Sequence, residues 1–230
     1  MATSENHLLG LLPPRDRARL LGMSVAVELK LGAVLAEPGQ ETRYVYFPID
    51  AFISLVTGIE GKPVLEVGMV GREGMLGVHV LLGVPAEPVH ALVQGAGGAL
   101  RIGAAPFRRE LARSKSLRDT GHRYLYVLMA QLATSAGCTR FHNVGPRLAR
   151  WLLMSQDRAR SDTFRITQEF LAYMLGVRRV GITAAAGQLQ RRGLIRYRRG
   201  EITVRNRLGL EASACSCYAA DREVYRQQLG

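Results

Sequence analysis

From Leu117 to His142 the chain runs for 26 residues with no proline and only two glycines, Gly121 and Gly137. A stretch with so few places to turn predicts one helix of roughly 39 Å. Compact cores seldom need a helix of that length, so it must divide what lies before it from what lies after it. Leu125, Leu128 and Leu132 repeat at 3-4 spacing, and Ser135, Thr139 and His142 continue the line in polar form. This pattern is expected either as a seam where two copies pair, or as a stripe buried by the chain itself.

Ahead of the long helix the texture is mostly β. Leu8, Leu9, Leu11, Leu12 and Leu20 predict helix over residues 5–21, interrupted and restarted at Pro13-Pro14. Strands are expected at Val25–Leu29, Tyr44–Phe47, Phe52–Val56, Val64–Val70, Val89–Gln94 and Ala99–Ile102. Turns fall at Glu37-Pro38-Gly39, Glu60-Gly61-Lys62, glycines 71, 74 and 77, and Gly95 to Gly98. Many short strands at this spacing point to a jelly roll or small barrel, closed by a short helix at Ala105–Ser114. Behind the long helix, Gly145-Pro146 opens another helix with Leu148, Trp151, Leu152 and Ser155 inward.

Charge is distributed just as unevenly. The chain holds 31 Lys and Arg against 19 Asp and Glu, a net +12. Residues 1–139 carry 14 basic and 12 acidic side chains, whereas residues 140–210 carry 15 Arg and no Lys against Asp157, Asp162, Glu169 and Glu201. Clustered guanidinium groups suit phosphate and guanine, to which each can donate two parallel hydrogen bonds. No apolar run is long enough for a membrane span, the first ten residues lack the basic start of a secretion signal, and three cysteines do not make a disulfide framework. A cytoplasmic location is expected, with no membrane partner.

The most specific motif is Ile166 to Thr183. Thr167 reads as an N-cap with Glu169 in the first turn, Ala172 is small where helices must approach, and Gly176 supplies a tight turn. Ile182, Ala185 and Leu189 give a second helix its inward face. Two short helices so joined form a helix-turn-helix, whose second helix enters the DNA major groove. Arg178, Arg179 and Thr183 then meet base edges. Thr167, Gln168, Arg191, Arg192, Arg196, Arg198 and Arg199 are expected on phosphates, the last ones around a wing at Leu194–Val204 with Arg198-Arg199-Gly200-Glu201 at its tip.

The order of these parts resembles the cyclic-AMP receptor/fumarate-nitrate regulator (Crp/Fnr) superfamily of bacterial transcription factors. The resemblance is carried by Gly32 to Gly39, by Gly71-Arg72-Glu73-Gly74-Met75-Leu76-Gly77, by Ile166 to Arg192, and by the wing segment Leu194 to Gly200. It implies an α+β chain: a β-roll sensory domain (1–116), a dimerisation helix (117–143) with Leu125, Leu128 and Leu132 as seam, a winged helix-turn-helix (144–210) and a tail (211–230). It also implies a homodimer on palindromic double-stranded DNA, with RNA polymerase as a further partner and an effector site at Gly71, Arg72, Glu73, Gly74 and His90. Two departures matter. Pro88-Val89 stand where nucleotide binders keep an Arg-Ser/Thr pair, so a cyclic AMP phosphate would lose its bidentate contact. In the recognition helix Arg179 matches a base-reading arginine of the family, but Val180 and Ala184 replace a Glu and an Arg.

No cysteine precedes Cys138, which argues against an N-terminal iron–sulfur cluster. Cys138, His142, Cys215 and Cys217 have the ligand types for a soft metal, but at a spacing unlike a standard finger, and ordinary packing is the expected role. There is no phosphate loop, nucleophile elbow or carboxylate cluster, so no enzyme is expected. The alternative function is a ligand-sensing adaptor whose winged domain binds protein.

Overall fold

The computed structural model describes residues 6–58, 60, 64–159 and 161–230 and divides into two compact units. One comprises Met1–Leu55, Met69–Met129 and Val224–Gly230; the other comprises Val56–Gly68 and Ala130–Glu223.

Asn6 is fully buried and organises the start of the first unit. Its side-chain oxygen accepts from Leu9 N (3.2 Å) to cap α1 (His7–Gly10), and its amide donates to the carbonyls of Pro48 (2.9 Å) and Gly74 (2.8 Å). The restart at the proline pair is present: α2 (Pro14–Met23) opens on Pro14, where a missing N–H breaks no helical bond. Seven strands follow along the chain: β1 (Val25–Leu29), β2 (Val34–Ala36), β3 (Tyr44–Pro48), β4 (Phe52–Thr57), β5 (Leu65–Val70), β6 (His90–Gly95) and β7 (Gly97–Gly103). They form two sheets, β1-β7-β3 and β2-β6-β4-β5, as a β-roll. Strand β7 is antiparallel to both neighbours, pairing Val25 with Arg101 on one side and Phe47 with Leu100 on the other. Strand β2 is absent from the sequence expectation, because three residues are too few to show alternation. The turn expected at Glu60-Gly61-Lys62 lies, apart from Glu60, outside the described residues.

Phe47 and Phe107 meet edge-on, 6.0 Å apart, within a core that includes Leu9, Leu20, Met75, Ile102 and Tyr124. Phe107 comes from α3 (Ala104–Arg113) and Tyr124 from α4 (Lys115–Phe141). A methyl group on Gly74 would lie 2.0 Å from the Tyr124 ring, so only glycine lets this segment pack there.

The long helix α4 carries two lines of residues at 3-4 spacing. Leu128 is buried in the chain's own core beside Val127, and Leu125 and Leu132 are half-buried. Of that stripe, Leu128 is covered by the chain itself, and Leu125 and Leu132 are covered only in part. A second line, Tyr126, Met129, Ala133, Ala136 and Arg140, is exposed at the same 3-4 spacing. Tyr126 and Met129 are 56% and 59% exposed, whereas Leu128 is 6% exposed.

In the second unit, α5 (Val144–Ala159) buries Leu148, Trp151, Leu152 and Ser155 as expected. Trp151 Nε1 donates to Glu66 Oε1 at 2.9 Å. Next come β8 (Thr163–Arg165), α6 (Gln168–Leu175), α7 (Arg179–Arg191), β9 (Ile195–Arg198) and β10 (Glu201–Val204), with the strands in order β8-β10-β9. The C-terminal tail, residues 211–230, is largely helical. After α8 (Arg207–Glu211) they form α9 (Cys217–Leu229). Tyr218 of α9 donates to Asp157 (2.9 Å) in the second unit, and Leu229 belongs to the first unit's core. No helix among the described residues is long and apolar enough to cross a membrane.

Candidate nucleic-acid interface

Thr167 has an extended backbone, and its hydroxyl accepts from Phe170 N (3.1 Å), satisfying one of the free donors that open α6. Such a cap contributes about 1 kcal/mol. The same entry is fastened to the wing: Ile166 N donates to Gly200 O (2.8 Å) and Tyr197 Oη to Ile166 O (2.8 Å). At the far end Gly176 takes φ 60, ψ 41, and Val177 N turns back to Ala172 O (2.9 Å). This left-handed residue lets the chain leave α6 and enter α7 within three residues.

Helix α7 is capped by the extended Arg178 and is about 20 Å long. Ile182, Ala185, Ala186 and Leu189 are buried, while Arg178, Arg179, Val180, Thr183, Ala184, Gln188 and Arg191 line its outer side. Of the three residues expected on base edges, Arg178 and Arg179 are exposed at the start of α7. Thr183 is placed differently. Its hydroxyl sits between Gln168 Oε1 (2.7 Å) and the Arg179 carbonyl (3.1 Å), so it ties α7 to the start of α6, and Gln168 is engaged with it.

Strands β9 and β10 make the wing, with Arg198 opposite Glu201. Its two-residue tip is Arg199 (φ 52) and Gly200 (φ 75), the twin left-handed turn that matches strand twist. Arg199 is the one non-glycine at positive φ among the described residues. Arg191, Arg192, Arg196, Arg198 and Arg199 are all exposed, and none pairs with a carboxylate among the described residues. Thr167, Gln168, Glu169, Arg179, Tyr197, Arg199 and Gly200 border a single open groove. The start of α6, the first turn of α7 and the wing tip therefore converge.

The arginine count overstates this surface. Arg147, Arg150 and Arg158 on α5 are buried at 7–8% exposure. Arg147 donates to the Leu175 carbonyl, Arg158 to Met154 O (3.0 Å), and Arg150 to Asp221 (2.7 Å) and Ser135 (3.2 Å). Burial lowers the Arg147 pKa from its usual value. Arg207 bonds Asp157 (2.7 Å), Glu211 (3.0 Å) and Gln156 (2.8 Å). Arg165 and Arg205 are exposed beside the wing strands, and the sequence motif alone does not single them out.

In the β-roll, one cavity is lined by residues other than those expected for an effector. A cavity in this unit is lined by Leu35, Gln40, Thr42, Arg43, Tyr46 and Glu87, among others. Gly71, Arg72, Glu73, Gly74 and His90 are not in its lining. Glu73 Oε1 instead accepts from Gly71 N (3.1 Å), and Gly74 packs on Tyr124. Behind the cavity wall, Glu87 Oε2 lies 3.1 Å from His79 Nδ1, close enough for an ion pair but not aligned as a hydrogen bond. His79 Nε2 is 2.8 Å from Thr42 Oγ1. Both His79 and Glu87 are buried.

Residues 146–213 match the family described as the Crp-like helix-turn-helix domain. Among curated proteins, none matches the sequence. Solved structures share the fold over nearly the whole chain. A protein of Eubacterium rectale classed with the Crp/Fnr transcriptional regulators is 16% identical, with a TM-score of 0.68 over 90% of this chain and 98% of that one. A CRP-family transcriptional regulator from Thermus thermophilus is 18% identical, with a TM-score of 0.67 over 82% and 96%. The cyclic di-GMP-responsive regulator CLP of Xanthomonas campestris is 18% identical, with a TM-score of 0.60 over 84% and 99%.

Proposed function

We propose that this protein, a chain with the Crp/Fnr fold and a Crp-like helix-turn-helix domain, is a homodimeric transcription regulator that reads double-stranded DNA. The observation that carries the reading is the convergence of unpaired Arg179 and Arg199 with the start of α6 on one groove. A phosphate backbone crossing that groove meets Arg199 at the wing tip, while the exposed first turn of α7 enters the major groove. Arg179 then reaches guanine O6 and N7, and Val180, 72% exposed, offers methyl groups to a thymine methyl. Wing arginines hold phosphates and add affinity without sequence preference.

Two copies pair along α4 through the Tyr126/Met129/Ala133 line, which places the two α7 helices on a palindromic site. Met129→Glu gives a folded monomer by light scattering, and DNA affinity falls. Leu128→Glu instead unfolds the chain, since it puts a charge in the core. If Met129→Glu and Tyr126→Glu together left a stable dimer, this seam would be wrong.

The proposed effector site is the cavity bounded by Thr42, Tyr46 and Glu87. A carboxylate in its wall opposes a cyclic phosphodiester. Cyclic AMP titrated calorimetrically gives no saturable heat in the micromolar range, and saturable binding there would overturn this assignment.

The DNA-binding reading is tested by retardation of duplex promoter fragments over a salt series. Binding weakens steeply as salt rises, because bound arginines release counterions. Salt-independent capture, or none, would remove DNA as the ligand.

A further inference from the structure

Four residues far apart in sequence meet at one point of the second unit. Cys138 and His142 lie one turn apart at the end of α4, with His142 N donating to Cys138 O (3.1 Å). Cys215 precedes α9, held by its own N–H to Pro146 O (3.4 Å), and Cys217 opens α9. Cys138 Sγ is 3.6 Å from Cys215 Sγ, and Cys217 Sγ is 3.5 Å from His142 Nδ1. All four ligand atoms fall within 4.8 Å of one another. We propose that Cys138, His142, Cys215 and Cys217 form a tetrahedral zinc site that clasps the end of α4 to the segment following the wing.

The dimensions are those of such a site. Zinc bonds of about 2.3 Å to sulfur and 2.0–2.1 Å to nitrogen set tetrahedral edges of roughly 3.8 Å between sulfurs and 3.6 Å between sulfur and nitrogen. The Cys138–Cys215 separation of 3.6 Å and the Cys217–His142 separation of 3.5 Å fall close to these edges, and the other pairs lie within 4.8 Å. Charge gives an independent argument. Three thiolates, a neutral imidazole and Zn²⁺ carry a net charge of −1. Buried Arg147 lines one small cavity together with Cys138, and no carboxylate among the described residues pairs with it. An anionic metal centre supplies the counter-charge that this guanidinium otherwise lacks.

All four positions are protein ligands, so no place remains for water or substrate. The site is therefore structural or sensory rather than hydrolytic. Cys138 and Cys215 are buried, and His142 and Cys217 are half-buried, which leaves a path for the ion.

The test uses the full chain purified under anaerobic, reducing conditions. Zinc is measured per chain, and cobalt(II) is then exchanged in. About one zinc per chain is expected, with thiolate-to-cobalt charge transfer and the strong visible bands of tetrahedral cobalt. Cys217→Ala and His142→Ala, at the half-buried corners, lower zinc affinity at least about tenfold against a chromophoric chelator. Zinc raises the melting temperature of the wild type and not of Cys217→Ala. A reduced, folded wild type that takes up neither ion overturns the proposal. So does octahedral cobalt without charge transfer, or a Cys138–Cys215 disulfide in the reduced preparation, shown by an intact mass lighter by two hydrogens. Unchanged affinity in both variants overturns it as well.

Discussion

Helix α5 and the α7–wing surface carry the same side chain in opposite circumstances. On α5, Arg147, Arg150 and Arg158 are buried and engaged with carbonyls, a hydroxyl and Asp221. On α7 and the wing, Arg178, Arg179, Arg191, Arg192, Arg196, Arg198 and Arg199 are unpaired with acids among the described residues and face outward. The first group organises the domain, and the second is exposed to solvent. A count of arginines merges the two, whereas their partners separate them.

Substitutions on the two sides should therefore fail in different ways. The largest effect is expected at Arg150→Met. It removes the ion-pair partner of the Asp221 carboxylate, whose side chain is 11% exposed, and costs about 3–5 kcal/mol of stability by urea denaturation. The operator-to-scramble ratio of the folded fraction stays that of the wild type; a stable variant with lost specificity would erase the distinction. Arg179→Ala comes next. Stability is unchanged, but binding to a mapped operator loses roughly 1–3 kcal/mol per half-site and the preference at one base pair relaxes. An unchanged ratio would mean that α7 is not the reading helix. The smallest effect is at the wing tip. Arg199→Gly suits the φ of 52, so the fold is not weakened, and specific and random duplexes lose affinity alike. The salt dependence flattens by about one unit for each phosphate that the variant no longer neutralises.

Much of this architecture is legible in the residues. Periodicity and punctuation locate α5, α6, α7 and six strands of the roll, and Thr167 and Gly176 mark the ends of α6 because capping and positive φ are local requirements. What stays hidden depends on distant partners. Leu128 and Met129 are adjacent and both apolar, and only the packed core decides which one faces out. Thr183 has the position of a base reader, but Gln168 lies within 2.7 Å of its hydroxyl. The segment Gly71 to Gly77 suggests a ligand loop, yet Gly74 is there for the Tyr124 ring, far along the chain. The four metal-ligand residues are visible as types, but no spacing rule can bring residues 138 and 215 together.

On the homodimeric DNA-binding reading proposed above, the exposed line on α4 has a consequence for how the protein responds to its own abundance. Tyr126 and Met129 are its large apolar members, and Ala133, Ala136 and Arg140 continue it with small or charged groups. If two copies pair only weakly along it, monomer predominates when copies are few. Below the dissociation constant of the pair, dimer rises with the square of total protein. Doubling expression then quadruples the species that can span both halves of a palindrome, and gene output follows dosage more steeply than one-to-one binding allows.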